Sequence, residues 1–216
     1  MGANFSRLKL HNVWFNTIIM KLLILVILFS CNSNIVWLDH NKNGRMDPYE
    51  NPDNSIDNRV KDLISRMTLE EKISQMDANS PSIDRLGIGE YIWYASSLHG
   101  VKATRESSYY SKTTVFPQSI GLASTWNPEL VYEEATAISD EARALANIFR
   151  NNLYLNFWDP MINIARDPRW GRTQEGYGED PHLVSRISVA YIKGMQGNHG
   201  RYIKTIISPK HFVANN

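Results

Sequence analysis

Cysteine is nearly absent: Cys31 is the single one in 216 residues. That excludes an intramolecular disulfide framework and a cysteine-rich zinc site. An excess of charge of one sign is missing too. Twenty-three Lys and Arg against 22 Asp and Glu leave a formal net charge of +1, so no electrostatic footprint points to nucleic acid or to an anionic surface. Twelve glycines and nine prolines are too few for a collagen-like or low-complexity chain, and there is no internal repeat. What is there, 43% apolar and 21% charged residues, suits a globular body of one domain with at most a small addition.

Long hydrophobic runs are also scarce. The densest is Leu22 to Phe29, written LLILVILF. It fits the apolar region of a secretory signal and falls well short of the ~20 residues that span a bilayer. Extending it back to Val13 brings in Asn16, Thr17 and Lys21, and a central Lys costs about 2.5–3.5 kcal/mol in a membrane. Residues 1–31 therefore read as an export leader, starting at Met1 or at Met20. Its end, Leu28-Phe29-Ser30-Cys31, resembles the lipobox of bacterial lipoproteins, in which cleavage precedes the cysteine and its thiol carries lipid. The resemblance implies an exported protein of the periplasm or cell surface, touching the membrane only through a lipid anchor on Cys31. An ordinary signal peptide with an incidental cysteine is the alternative.

Residues 32–53 form a polar linker that carries a twelve-position pattern from Asp39 to Glu50. Oxygen side chains stand at positions 1, 3, 5, 9 and 12 (Asp39, Asn41, Asn43, Asp47 and Glu50), with Gly44 at position 6. Calcium takes about six to eight oxygens, and this spacing folds them around one point. Gly44 allows the sharp turn, Arg45 offers its backbone carbonyl and Glu50 closes the site bidentately. The expectation is one structural Ca2+. A plain Asn/Asp-rich turn segment is the alternative.

From residue 54 onward, helix signals arrive in order. Asp57 is placed to cap a segment with Val60, Leu63, Ile64 and Met67 at helical spacing. Thr68-Leu69-Glu70-Glu71 is a capping box. Asn127-Pro128 opens a long helix to about Phe149, and Asp180-Pro181 opens another that ends near Gly197. Between them lie short apolar runs: Leu153–Phe157, Met161–Ile164 and Ile203–Ile207. Short buried strands alternating with helices predict an α/β fold with a parallel sheet or barrel.

Several stretches then resemble one family, glycoside hydrolase family 3. They are Arg59 to Met76, Phe116 to Pro128, Ile164-Ala-Arg166-Asp167-Pro168-Arg169-Trp170-Gly171-Arg172 with Glu175 and Glu179-Asp180-Pro181, and the closing Pro209-Lys210-His211-Phe212. The resemblance implies that 54–216 is the N-terminal portion of a (β/α)8 barrel. The 158 residues from Arg59 to Asn216 compare with about 250 for a whole barrel. It further implies a retaining exo-β-glycosidase of the β-glucosidase or β-xylosidase type, acting on terminal β-linked sugars of oligosaccharides or aryl β-glycosides. The resemblance implies no cofactor for catalysis.

In that family the nucleophile is an Asp well after the Lys-His motif, and the acid/base comes later still. No residue of these 216 is therefore expected to be catalytic. Lys210, His211 and Arg172 are expected to bind hydroxyls of the terminal sugar. Asp167 is expected to orient the arginine cluster, and Trp158 and Trp170 to pack. Ser96 stands where the family usually has an acidic residue, which weakens that contact by about 1 kcal/mol or more. Val213-Ala214 after Phe212 disfavours the N-acetylglucosaminidase branch. A non-catalytic carbohydrate-binding remnant of the family is the rival reading.

Overall fold

The computed structural model describes residues 37–92, 95–102, 113–149, 155–213 and 215. The leader read at 1–31, Cys31 included, lies outside the described residues, and among the described residues no helix is long and apolar enough to cross a membrane. The chain divides into two compact units, Met1–Arg66 and Met67–Asn216.

In the first unit the loop of residues 39–50 leads to helix α1, Ile56–Arg66. Three side chains of that helix grip the loop. The Asp62 carboxylate accepts the Tyr49 N–H at 3.1 Å, Arg59 donates to the Tyr49 carbonyl at 2.8 Å, and Arg66 pairs with Asp47 at 3.1 Å. Asp57 lies inside the first turn of α1 and does not cap it. The N–H of Asn58 is taken by the Ser55 hydroxyl at 3.3 Å, because the helix begins two residues earlier than Asp57 would place it.

The second unit opens with helix α2, Leu69–Ser74. Its capping box is complete: Thr68 accepts the Glu71 N–H, and Glu71 accepts the Thr68 N–H. An antiparallel pair follows, β1 (Asn79–Ser80) with β2 (Tyr91–Ile92). Next come α3 (Ser119–Ala123), α4 (Pro128–Phe149), β3 (Asn156–Phe157), α5 (Pro181–Gln196) and β4 (Ile206–Ile207). Asn127 caps α4 through the Leu130 N–H, and Asp180 caps α5 through the His182 and Leu183 N–H groups. A local side chain thus takes up donors that each helix start leaves free.

β3 pairs in parallel with β4, and Ala95 makes a parallel bridge to Phe157 on the other side of β3. Three successive extended segments therefore run in one direction, with α4 crossing between the first and second and α5 between the second and third. The run Met161–Ile164 is not a strand: only Met161 bridges, to Gly176 and Lys210. The β segments are two residues long among the described residues; Leu153 and Tyr154 of the first apolar run lie outside them, the run Ile203–Ile207 pairs only at Ile206 and Ile207, and no closed barrel forms among the described residues. The observed fold is mixed α/β.

The core lies between the two crossover helices and the strands. Val131, Ala135, Ile138 and Ala142 form a stripe on α4, and Val184, Ile187, Tyr191 and Met195 form one on α5. Phe157 lies in the same buried cluster. Spacings of three and four residues place each set on one helix face. At the crossing, a Cβ on Gly194 would sit 2.7 Å from Ala135 Cβ, so only glycine lets the helices approach so closely. The Ser139 hydroxyl reaches across to the Gly194 carbonyl at 3.1 Å. Arg143 of α4 donates to the Ile203 carbonyl at 2.9 Å, and Thr205 donates to the Met195 carbonyl at 2.7 Å. These contacts fix where β4 begins.

One core position breaks the apolar pattern. Glu134 on α4 is buried, and among the described residues its Oε1 has no hydrogen-bond partner. Burial alone pushes its carboxyl up to about 7. A folded-state value above the unfolded one favours the protonated, folded form. The contribution is complete below about 4.5 and is lost as pH rises through 7. Glu134 should therefore remove about 1–3 kcal/mol of stability between pH 4.5 and pH 8. Urea melts of the wild type and Glu134→Gln at both pH values check this. The variant should be the more stable at pH 8 and lack that part of the pH dependence.

Candidate functional site

The parallel segments end on the same side, and the chemistry collects there. Ser96 and Ser97 follow the bridge at Ala95, Trp158 and Asp159 follow β3, and Lys210 and His211 follow β4 shortly after. Backbone bonds lock these ends in register: Trp158 N–H to the Ala95 carbonyl (2.9 Å), Lys210 N–H to the Pro160 carbonyl (3.0 Å), and Ile162 N–H to the Lys210 carbonyl (2.7 Å). The Asp159–Pro160 and Lys210–His211 peptides are cis. In α/β folds the region beyond the carboxyl ends of parallel strands is where ligands bind.

A cleft of about 410 Å³ opens there, lined by Ser96, His99, Arg172, Glu175 and Lys210 among others. Gly100, also on its wall, has φ +121° and lies against the Thr114 carbonyl, which leaves no room for a Cβ. His211 joins the group through Arg172, whose Nη1 lies 3.4 Å from His211 Nε2. The four residues expected to bind substrate, Ser96, Arg172, Lys210 and His211, are thus brought together. A larger groove of about 710 Å³ runs past Trp126, Arg166, Asp167 and Glu179, away from the strand ends that carry Lys210 and Asp159.

Each of these side chains is held. Arg172 grips Glu175 with two bonds, 2.8 and 2.6 Å, and that fork keeps the Glu175 carboxyl below the usual carboxylate range. Asp167 does not reach Arg172; its carboxylate is taken by Arg169. Of the arginine cluster that Asp167 was expected to orient, it thus holds Arg169 and not Arg172. The His211 ring is set by Asn163, whose Oδ1 lies 2.8 Å from His211 Nδ1 and also accepts the His211 N–H. Trp158 is 40% exposed. Its ring stands 5.8 Å from the Lys210 ammonium and 6.2 Å from the His211 ring, so it borders the site instead of filling the core.

Asp159 was not singled out by the sequence, and it is fully buried, with 0% exposure. Its Oδ2 accepts the Ser97 N–H at 2.5 Å, and its Oδ1 lies 3.2 Å from the Lys210 ammonium. Burial raises the Asp159 carboxyl; the Lys210 ammonium, then the Ser97 N–H, pull it back. The whole arrangement presents an ammonium, a guanidinium, an imidazole and an aromatic edge around a small cleft. Fixed donors beside a ring surface suit a neutral polyhydroxylated ligand. Both acidic side chains among them, Asp159 and Glu175, are engaged in ion pairs.

The calcium-type loop folds its oxygens inward onto its own backbone. Asp39 accepts the Asn43 and Gly44 N–H groups, Asn41 accepts Asn43 N–H, and Asn43 accepts Arg45 N–H. Glu50 accepts the N–H groups of His40 and Asp47. The Asn41 and Asn43 amides both donate to Asp47. Gly44 has φ +75°, as the turn requires. Among the described residues no three His, Cys, Asp or Glu side chains form a metal-holding group.

Residues 65–216 match the family described as "Glycosyl hydrolase family 3 N terminal domain". The chain is 41% identical over 175 residues to a xylan 1,4-beta-xylosidase of Xylanibacter ruminicola, covering 77% of this chain and 20% of that protein. It is 42% identical over 167 residues to beta-D-xylosidase 3 of Arabidopsis thaliana, covering 74% and 21%. Among solved structures it resembles a GH3 exo-beta-xylosidase in complex with a xylobiose aziridine probe, with TM-score 0.63 and 32% identity, covering 71% of this chain and 20% of that one. Beta-glucosidase 3B of Thermotoga neapolitana with alpha-D-glucose gives TM-score 0.58 and 30% identity, covering 73% and 23%. The chain spans about a fifth of the length of the relatives it matches.

The electrostatics of the cleft generate a direct expectation. Burial, then Arg172 and Lys210, lower the His211 pKa from 6.5, against a smaller upward pull from Glu175. In an NMR titration His211 should therefore titrate below 6.5 and be neutral at pH 7. Arg172→Met should move the midpoint up and Glu175→Gln should move it further down. A wild-type midpoint at or above 6.5 would contradict the arrangement.

Proposed function

Because the chain belongs to glycoside hydrolase family 3, we propose that it is the N-terminal part of a retaining exo-β-glycosidase of the β-xylosidase or β-glucosidase type. The observation that carries the reading is the single cleft at the strand ends, shared by Ser96, Arg172 and Lys210 with His211 alongside. On this reading the three parallel segments with two crossover helices are the opening of a (β/α)8 barrel, whose sites lie at that end. The ligand is the terminal xylose or glucose of an oligosaccharide or aryl β-glycoside.

The roles follow from the chemistry of each group. Lys210 and Arg172 donate charge-assisted hydrogen bonds to sugar hydroxyls. Neutral His211, its ring fixed by Asn163, exchanges a further hydrogen bond. Trp158 borders one face of the ring. Retention needs two carboxyl groups about 5–5.5 Å apart, one a nucleophile and one an acid/base. Asp159 and Glu175 are committed to Lys210 and Arg172, so neither is assigned that role. The catalytic pair is assigned to sequence outside these 216 residues.

The test uses the purified 216-residue chain. Methyl β-D-xyloside should perturb the Trp158 and His211 NMR signals, and Arg172→Met should abolish the effect. Nitrophenyl β-xyloside and β-glucoside should not be turned over. An unperturbed spectrum overturns the sugar reading. Turnover lost in Asp159→Asn or Glu175→Gln would put the nucleophile within this chain.

Two further parts of the reading rest on sequence. The apolar run Leu22–Phe29 and Cys31 support export and a lipid anchor. The oxygen spacing of Asp39, Asn41, Asn43, Asp47 and Glu50, with the Arg45 carbonyl, supports one structural Ca2+. Three carboxylates, two amide oxygens and one carbonyl match the six-oxygen minimum, and no paired loop reinforces them. Calorimetry should give one site with Kd of about 10⁻⁴–10⁻³ M, lost in Glu50→Gln. Absence of heat on titration, or binding unchanged in that variant, would refute the site.

A further inference from the structure

Asp159 touches all three strand ends that build the cleft. It holds the Ser97 N–H at 2.5 Å and the Ser97 hydroxyl at 3.4 Å, and the Lys210 ammonium is 3.2 Å from its other oxygen. The Ser96 side chain is a further, weaker donor to it. Behind Ser97, Tyr191 of α5 donates to the Ser97 carbonyl at 2.7 Å and lies 2.8 Å from its hydroxyl. An unbroken polar chain thus runs Tyr191–Ser97–Asp159–Lys210. Lys210 is the member that emerges: its side chain is 11% exposed against 0% for Asp159, and it lines the cleft.

A lysine on four rotatable bonds has no preferred direction by itself. An anion buried beneath it supplies one. Asp159 cannot touch a ligand, since it has no exposed surface, and so it acts through Lys210 and the serine strand end. Its position matters because Ser96, next to it on the neighbouring strand, brings no charge. We propose that Asp159 is the positioning residue of the sugar subsite: it aims the Lys210 ammonium into the cleft and supplies from β3 the negative charge that Ser96 does not. The proposal rests on the reading of the cleft as a sugar site. It also revises the expectation from sequence that Ser96 leaves the subsite short of a charge.

The experiment has two readouts on the full 216-residue chain, with folding of each variant checked by circular dichroism. The first needs no ligand. The 13Cε signal of Lys210 is followed with pH, and its inflection should report ionisation of Asp159. The other charged or titratable groups around the pair are Arg172, Glu175, Tyr177, Tyr191 and His211. The inflection assigned to Asp159 should therefore survive in Glu175→Gln and in His211→Asn and vanish in Asp159→Asn. A Lys210 signal that ignores Asp159 overturns the proposal.

The second readout is affinity for methyl β-D-xyloside. Asp159→Asn should weaken binding about tenfold, the scale of one charge-assisted contact. The relocated pair Ser96→Glu with Asp159→Ser should recover most of it. Binding retained within about twofold in Asp159→Asn, while Lys210→Met loses it, overturns the proposal and leaves the sugar site standing. A wild-type chain that binds no glycoside sinks the sugar reading instead, and the titration of Lys210 then decides the positioning role by itself.

Discussion

The ion pair between Asp159 and Lys210 is the constraint on which the site depends. A fully buried carboxylate is costly to desolvate, and its attraction to one ammonium does not by itself repay that cost. Such a pair is weak evidence for stability, but breaking it strands a charge at a cost of about 3–5 kcal/mol. The consequence is geometric. Any arrangement that separates the ends of β3 and β4 leaves Asp159 buried alone, so the two strand ends are held together more firmly than two-residue strands could hold them.

The rest of the second unit serves this junction. Packing of α4 against α5, through the stripe at Val131, Ala135, Ile138 and Ala142 and the close approach at Gly194, sets the height of both crossover helices. Tyr191 then reaches Ser97 from α5, and Arg143 of α4 clamps the segment before β4. Outward from the pair, less buried contacts orient what a ligand would meet: Glu175 splays the Arg172 fork, Asn163 fixes His211, and Trp158 stands beside both. The surface pair Arg172–Glu175 adds about 0.3–1 kcal/mol at most; its value is direction, not stability. Glu134 shows the opposite case, a buried acid whose Oε1 finds no hydrogen-bond partner among the described residues to offset its desolvation.

The sequence was most legible where the determining contacts are local. Thr68 with Glu71, Asn127 before Pro128, and Asp180 before Pro181 each act within three residues, and all three cap the helices that their patterns predict. Asp57 failed because Ser55, two residues earlier, offers its hydroxyl to the Asn58 N–H. Strand extents failed for another reason: apolar runs such as Met161–Ile164 say that a segment is buried, while pairing depends on partners far away in sequence. The family motifs made Arg172, Lys210 and His211 candidates, and the fold brings them together. Asp159 was passed over because its partners are distant. Ser97 lies 62 residues before it and Lys210 lies 51 after it. Nothing within a local window distinguishes an Asp before a proline that starts a turn from one that anchors a site.

A double-mutant cycle measures the central interaction directly. Asp159→Asn, Lys210→Met and the double variant are compared with the wild type by urea unfolding at pH 7. If the buried pair organises the strand ends, each single change is severe, the double change costs far less than their sum, and the coupling is about 2 kcal/mol or more. Additive effects, within about 0.5 kcal/mol, would mean that Asp159 and Lys210 are merely neighbours, and the account of the site would fail.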